Sequence, residues 1–203
     1  MIVILGDAGI NYFADWRDER LKNRLACCPI TLFCIHGNHE IRPENIDTYQ
    51  VQRFADGLCY VESVFPNILF AIDGQVYRFG DKNCLVIGGA YSVDKQYRLQ
   101  NGYKWFSDEQ PTDATKRYVE DVIERRDDIN VILTHTCPYK YLPSEMFLPM
   151  IDQSTVDKST EKWFDCIEDR VAYDRWYCGH YHTDKQTDKI RFMLNDIELL
   201  ANI

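Results

Sequence analysis

Short apolar runs alternate along the chain with segments in which apolar residues recur every three or four positions. The runs at residues 1–5, 29–35 and 131–133 are short and are followed by polar or turn residues, which is typical of buried strands. Asp73-Gly74 lies between two further runs and is a hairpin signal. The other predicted strands are at residues 58–61, 68–72, 76–79, 85–87, 175–178 and 190–194, with 197–200 as an additional candidate.

Helical spacing of apolar residues marks the segments between several of these runs. Thr112 is a plausible N-cap for the second predicted helix, because its hydroxyl can accept from a free backbone N–H. Pro43 predicts a shorter helix through residue 54, since proline is tolerated in a first helical turn. Residues 139–158 form the longest irregular stretch, which we interpret as a candidate active-site loop. The three main predicted helices cover residues 13–26, 112–125 and 159–170.

Histidines are confined to three short segments, each just after an apolar run. They are His36, His39, His135, His180 and His182. Ligands of open α/β sheets gather at the carboxyl ends of strands, so these segments are expected to meet at one edge. The run at residues 1–5 ends in Gly6-Asp7, which adds a carboxylate. Imidazole, carboxylate and amide groups together suit Mn, Fe, Zn or Ni, so the pattern predicts a metal site.

Composition narrows the class of protein further. The chain has 203 residues, of which 45% are hydrophobic, so it is long enough to bury one sizeable core. A formal net charge of -9 argues against nucleic acid and anionic membranes as partners. No apolar run approaches the roughly 18 residues of a membrane span. The eight cysteines form no Cys-x-x-Cys pair, and we interpret them as reduced, structural thiols of a cytosolic protein.

The order of the motifs resembles a known family. Gly6-Asp7, Gly37-Asn38-His39-Glu40, Thr134-His135 and Gly179-His180-Tyr181-His182 follow one another at predicted strand ends. This set is similar to the calcineurin-like metallophosphoesterase superfamily. The resemblance implies an α/β fold over residues 1–203, with a two-sheet sandwich flanked by helices. It also implies hydrolysis of a phosphomonoester or phosphodiester by direct attack of metal-bound water.

The resemblance assigns a role to each motif residue. Asp7 matches the carboxylate that bridges two metal ions, and Asn38, His135 and His180 match the remaining ligands of one of them. His182 matches a ligand of the other ion. His39 matches the histidine that contacts the substrate phosphate and aids departure of the leaving group. Bound metal would acidify water and neutralise charge on the phosphoryl group.

One family motif is missing from the chain. No Asp-x-His triplet occurs in the sequence, and the Gly-Asp strand begins at Met1. We therefore expect an N-terminally truncated member with one well-formed metal site and a second site that keeps only Asp7 and His182. An uncovered strand at residues 1–5 would favour pairing with another chain, so a homodimer is possible. Restoring an upstream Asp-x-His segment is expected to raise both stability and Mn²⁺-dependent activity.

Several residues near the motifs have competing interpretations. Tyr91, Asp94, Lys95 and Arg98 follow a Gly-Gly turn and are candidates for contacting a substrate phosphate, although exposed charges in loops are usually only solvated. Glu40 is interpreted as structural rather than as a ligand, and His36 as a residue behind the site. Asp7 alone would also serve as a cap after a strand.

The sequence leaves more than one function open. A small phosphoester or cyclic nucleotide is the favoured substrate. Asp7 is followed by Ala-Gly-Ile-Asn-Tyr, which disfavours the protein Ser/Thr phosphatases and their Gly-Asp-x-Val-Asp-Arg-Gly motif. The main alternative is a metal-binding but inactive module that acts through a protein partner. A metal-dependent amide hydrolase would use similar ligands, but the motif order does not favour it.

Overall fold

A computed structural model describes residues 1–200, and two β-sheets form its centre. The helices are α1 Trp16–Ala26, α2 Lys95–Gln100, α3 Asp113–Glu124 and α4 Ser159–Glu168. The strands are β1 Ile2–Ile4, β2 Leu32–Cys34, β3 Tyr49–Phe54, β4 Gly57–Glu62, β5 Ile68–Ala71, β6 Val76–Phe79, β7 Lys82–Ile87, β8 Val131–Thr134, β9 Arg175–Cys178, β10 Lys185–Thr187 and β11 Ile190–Phe192.

Each sheet combines parallel strands with antiparallel strands. The first has the order β1-β2-β5-β4-β3, in which β1, β2 and β5 run parallel and β3 and β4 are antiparallel to their neighbours. The second has the order β10-β11-β9-β8-β7-β6, with β11, β9, β8 and β7 parallel. Among the described residues β1 pairs only with β2, so association through the β1 edge remains a prediction.

The main core lies between the two sheets. Phe33 and Leu69 of the first sheet pack with Val86, Leu133 and Tyr177 of the second. Two outer clusters complete the layers, one beneath α1 on the first sheet and one beneath α3 and α4 on the second. The predicted two-sheet sandwich flanked by helices is therefore confirmed.

The three main predicted helices are present. Thr112 Oγ1 accepts from the N–H of Thr115 at 3.1 Å, as its predicted capping role requires. Helix α4 buries Trp163, Phe164 and Ile167. Helix α1 begins at Trp16 rather than at residue 13, because the Asp18 carboxylate accepts from the N–H groups of residues 13 and 14 and holds them outside the helix.

The helix predicted for residues 43–54 is wrong. Only Pro43–Asn45 form a helical turn, of 3-10 type, and Tyr49–Phe54 form strand β3. Strand β3 pairs with β4 through the two-residue turn Ala55-Asp56, whose φ angles are 49° and 67°. Positive φ at both positions is the geometry of a tight hairpin, but alanine is an unusual residue there, so the turn was not predicted.

The hairpin predicted at Asp73-Gly74 is also wrong. Strand β5 already has β2 and β4 as neighbours, so the chain crosses to the second sheet and β6 pairs with β7 instead. Asp73 supports the crossing, because it accepts from Gly88 N at 2.6 Å and from Arg42 Nη1 at 2.8 Å. Helix α2 and strand β10 were not predicted, and the candidate strand at 197–200 is not a strand.

The parallel strands of both sheets bring their carboxyl ends to one place. Strands β1 and β2 lead into Asp7 and Asn38, and strands β8 and β9 lead into His135 and His180. The predicted meeting point is therefore shared by two sheets rather than formed along one. No helix in the described part of the chain is long and apolar enough to cross a membrane.

Candidate active site

Four polar side chains converge where the two sheets meet. His135 Nε2 lies 2.8 Å from Asn38 Oδ1, and His180 Nδ1 lies 3.1 Å from the same oxygen. Asp7 Oδ2 is 3.5 Å from His135 Nε2. The structure thus brings together the four residues that the resemblance assigned to one metal ion. We refer to Asp7, Asn38, His135 and His180 as the strand-end cluster.

Two members of this cluster have an unusual backbone conformation. Asp7 and His180 have φ angles of 51° and 65°, in the left-handed region that residues with a Cβ rarely adopt. Such strain persists where surrounding contacts impose it, and it concentrates at functional sites. Position 37 requires glycine because the Asp7 side chain packs against its backbone, and a Cβ there would lie 2.1 Å from Asp7 Oδ1.

The protonation of His135 follows from its contacts. Its Nδ1 lies 2.7 Å from the Leu5 carbonyl oxygen, which can only accept, so Nδ1 carries a proton. In the neutral ring, Nε2 then presents a lone pair toward Asn38 Oδ1 and the Asp7 carboxylate. Fixing the tautomer by a backbone carbonyl is a common way to orient a metal-binding histidine. This convergence of electron-pair donors fits a divalent cation.

Charges within the cluster shift its pKa values. Burial opposes ionisation of Asp7, but His135 and His39 outweigh it and hold the pKa of this carboxyl well below its usual range. Burial would lower the pKa of His135, yet the Asp7 carboxylate raises it. Burial and the nearby His135 lower the pKa of His180 to about 3. The cluster therefore has one ionised carboxylate facing two imidazoles.

A hydrogen-bonded chain behind the cluster orients Asn38. Asn38 Nδ2 donates to Ser92 Oγ at 2.8 Å, which turns Oδ1 toward the histidines. Ser92 Oγ donates to Glu109 Oε2 at 2.5 Å, and Trp105 Nε1 donates to the same oxygen at 2.7 Å. Ser92 and Glu109 are buried, and neither was named as a site residue from the sequence.

Glu40 and His36 lie behind the cluster. Glu40 Oε1 accepts from Gly37 N at 2.8 Å, and burial raises the pKa of this carboxyl to about 8. His36 Nε2 lies 2.9 Å from the Glu40 carbonyl oxygen, and the ring is buried. Both contacts are with backbone of the Gly-Asn-His-Glu turn. Their positions agree with a supporting role.

Within the described residues, no group of three or more His, Cys, Asp and Glu side chains is arranged as a metal site. Asp7, His135 and His180 therefore do not form such a group on their own, and in the strand-end cluster two histidine nitrogens are directed at the amide oxygen of Asn38. An amide oxygen is a suitable ligand for a hard or borderline cation.

A cavity of about 360 Å³ opens beside the cluster. His39 and His182 line it together with three cluster residues, and this volume is within the range of small-molecule sites. Most of the apolar part of the lining comes from residues 139–158, the segment predicted to be an active-site loop. Its apolar lining residues are Leu142, Met146, Phe147, Leu148, Ile151 and Val156.

Of the four residues predicted to contact a substrate phosphate, two line the cavity and two make other contacts. Tyr91 and Asp94 line the cavity. The Lys95 amine lies 3.8 Å from the centre of the Trp105 ring. The Arg98 guanidinium is buried and donates to Asp94 Oδ2 at 2.8 Å and to the Lys104 carbonyl oxygen at 3.1 Å. Tyr91 and Asp94 are therefore better placed than Lys95 and Arg98 to meet a ligand.

Comparison with known proteins identifies the class. The model of the calcineurin-like phosphoesterase family matches residues 1–184, which is most of the chain. The chain therefore belongs to the calcineurin-like phosphoesterase family, whose members are typically hydrolases and generally bind divalent metals. Neither the curated proteins nor the solved structures gave a significant match.

Proposed function

We propose that this protein is a metal-dependent phosphoesterase that hydrolyses a small phosphomonoester or phosphodiester. The observation that carries the proposal is the convergence of His135 Nε2 and His180 Nδ1 on Asn38 Oδ1, with the Asp7 carboxylate beside them. Family membership supports the reaction class. The neighbouring cavity supports a small substrate.

In this proposal the strand-end cluster holds one divalent ion, with Mn, Fe, Zn and Ni as the candidates and Mn²⁺ as the first to test. Such an ion, when bound, lowers the pKa of water and neutralises charge on a phosphoryl group. Asp7 supplies the negative charge, and Asn38 is oriented by Ser92. His135 is oriented by the Leu5 carbonyl.

His39 has a different role in the proposal. Its backbone N–H donates to Asp7 Oδ1 at 3.1 Å, while its ring lies on the cavity lining and makes no hydrogen bond to Asn38 Oδ1. Both ring nitrogens are 3.3 Å from Asn38 Nδ2, a nitrogen that does not bind metal. We therefore keep for His39 the role that the resemblance implies, which is to contact the phosphoryl group and assist departure of the leaving group.

His182 is proposed as a ligand of a second, incomplete site. It is exposed, lines the cavity, and has a φ of 49°, so its backbone shares the strained geometry of Asp7 and His180. Only Asp7 and His182 are available to this second site among the residues assigned by the family motifs. Turnover is accordingly expected to be slow.

The test is hydrolysis of bis(p-nitrophenyl) phosphate and p-nitrophenyl phosphate after chelation and readdition of Mn²⁺. We expect Mn²⁺-dependent release of p-nitrophenolate by the wild type and by Asn101→Ala, a control in which an exposed asparagine outside the cavity is changed. Asn38→Ala is expected to lose this activity. Tight Mn²⁺ binding without turnover of any phosphoester would contradict the proposal and favour the inactive, partner-binding alternative.

A further inference from the structure

A buried carboxylate lies on the cavity lining outside the strand-end cluster. Glu161 is only 3% exposed, although it contributes to the wall of the cavity. Its Oε1 accepts from Thr136 Oγ1 at 2.8 Å, whereas Oε2 is buried and has no hydrogen-bond partner among the described residues. A buried carboxylate oxygen without a partner is costly, so this atom indicates a missing donor.

The fold holds Glu161 close to the candidate active site. Thr136 follows His135 directly, and its hydroxyl also lies 3.1 Å from the hydroxyl of Tyr181, the residue after His180. The carboxylate is thus attached to the two segments that supply the cluster histidines. Glu161 lines the same cavity as Asp7, Asn38 and His180, so one ligand in this cavity can lie beside both the carboxylate and the cluster.

Charges near Glu161 are acidic on balance. Asp157 and Lys158 also line the cavity, which places two carboxylates and one amine in this part of the wall. The Lys158 amine donates to the Gln153 carbonyl oxygen at 2.9 Å and makes no hydrogen bond to Glu161. Burial raises the pKa of the Glu161 carboxyl, although the Thr136 hydroxyl opposes this. A cationic donor would relieve the cost of burial.

We propose that Glu161 is a specificity residue whose Oε2 accepts a hydrogen bond from an amine of the substrate. The preferred substrate is then a phosphoester with an apolar middle and a terminal ammonium group. Its phosphoryl end lies at the strand-end cluster, its apolar part contacts residues such as Phe147 and Leu148, and its amine reaches Glu161. This inference rests on the proposed function for the placement of the phosphoryl end.

Equilibrium binding to phosphonates, which are not hydrolysed, tests the inference. Calorimetry on the Mn²⁺-loaded protein would compare aminoalkyl phosphonates of two to six carbons with alkyl phosphonates in which a methyl group replaces the amine. At the best chain length, the amine is expected to bind about tenfold more tightly, as a charge-assisted hydrogen bond predicts. Glu161→Gln should reduce this preference to about twofold or less.

Glu124→Gln is the matched control, because Glu124 is exposed on α3 and does not line the cavity. It is expected to keep the full preference for the amine. Equal affinity of the wild type for the amine and methyl compounds at every length would overturn the inference, as would failure to bind either series. An equal loss of both series in Glu161→Gln would also contradict it, since that pattern indicates a structural role.

The difference in affinity between the amine and methyl compounds in the wild type tests the inference even if Glu161→Gln fails to fold. Turnover of bis(p-nitrophenyl) phosphate is measured on the same preparation. A clear amine preference without any hydrolysis would contradict the proposed function and leave the assignment of Glu161 supported. Hydrolysis without a preference for the amine would support the proposed function and contradict the assignment of Glu161. The two proposals therefore fail in different ways.

Discussion

The two sides of the cavity are built in different ways. On one side, Asp7 and His180 hold strained backbone conformations at the ends of parallel strands, and Asn38 is fixed by the buried Ser92. On the other, residues 139–158 contain only two 3-10 turns and present Met146 and Leu148 with 40% and 50% exposure. Strand ends anchored in two sheets give the fixed geometry that chemistry needs, whereas the loop offers an adaptable apolar surface.

This contrast predicts a division of labour. Changes on the strand-end side should alter metal affinity and turnover, because the groups there have one productive arrangement. Changes on the loop side should alter substrate affinity while leaving the rate at saturation intact, because apolar contacts bind ground state and transition state alike. Substitutions on each side of the cavity test this division.

Asp7→Asn is expected to abolish Mn²⁺-dependent turnover. The substitution keeps the size of the side chain but removes the only carboxylate of the strand-end cluster, and affinity for Mn²⁺ should fall by more than about 100-fold, beyond the usual effect of a supporting residue. Titration calorimetry would measure the affinity. Asp56→Asn is the control, because Asp56 also has a positive φ but lies in the exposed β3–β4 turn. Unchanged Mn²⁺ affinity in Asp7→Asn would remove this residue from the site.

His39→Ala is expected to lower turnover by about 100-fold to 10,000-fold, the usual range for a group that assists proton transfer. Mn²⁺ affinity should stay within about twofold of the wild type, since the ring nitrogens lie beside Asn38 Nδ2 and are not assigned as metal ligands. Turnover measured at saturating Mn²⁺ and Mn²⁺ affinity measured by calorimetry separate these two effects. Loss of metal together with activity would show that His39 is a ligand instead.

Ser92→Ala is expected to weaken Mn²⁺ binding by about tenfold to 100-fold, as is typical when the partner of a ligand is removed. The change leaves Asn38 Nδ2 and the buried Glu109 without their shared hydroxyl. Ser63→Ala, in an exposed turn after β4, is the control and should bind Mn²⁺ normally. Affinity equal to that of the control would mean that Asn38 needs no such support.

Leu148→Ala is expected to produce the smallest effect, a rise of about threefold to tenfold in KM for an alkyl p-nitrophenyl phosphodiester with kcat unchanged. The estimate corresponds to loss of about one or two buried methylene contacts. Leu99 has a nearly equal exposure of 52% but does not line the cavity, so Leu99→Ala is the matched control. A fall in kcat in Leu148→Ala would break the division between the two sides.

Much of this arrangement could be predicted because it depends on local sequence patterns. Parallel strands of a sheet core are short apolar runs, so the largely buried β2, β8 and β9, the apolar edge strand β1 and the residues at their ends were recognisable. The family motifs then indicated which ends meet. The strained φ angles of Asp7 and His180 were not foreseeable, because they arise from how the strands pack.

Other features depend on tertiary contacts and were missed. The hairpin at Ala55-Asp56 has an alanine where a positive φ is needed, and the turn at Asp73-Gly74 has the usual residues but connects two sheets. Ser92 and Glu161 were not named as site residues from the sequence, and the roles given to them here follow from the atoms that surround them. Polar residues of this kind are found from burial and hydrogen bonding rather than from spacing.

Anomalous diffraction at the manganese edge, from crystals grown with Mn²⁺, would show whether the strand-end cluster binds a divalent metal. We expect a peak with ligand distances of about 2.0–2.3 Å to oxygen and nitrogen atoms of Asp7, Asn38, His135 and His180. A second, weaker peak beside His182 would agree with an incomplete second site. Full occupancy elsewhere in the molecule, with no peak between these four side chains, would show that the strand-end cluster is not the metal site.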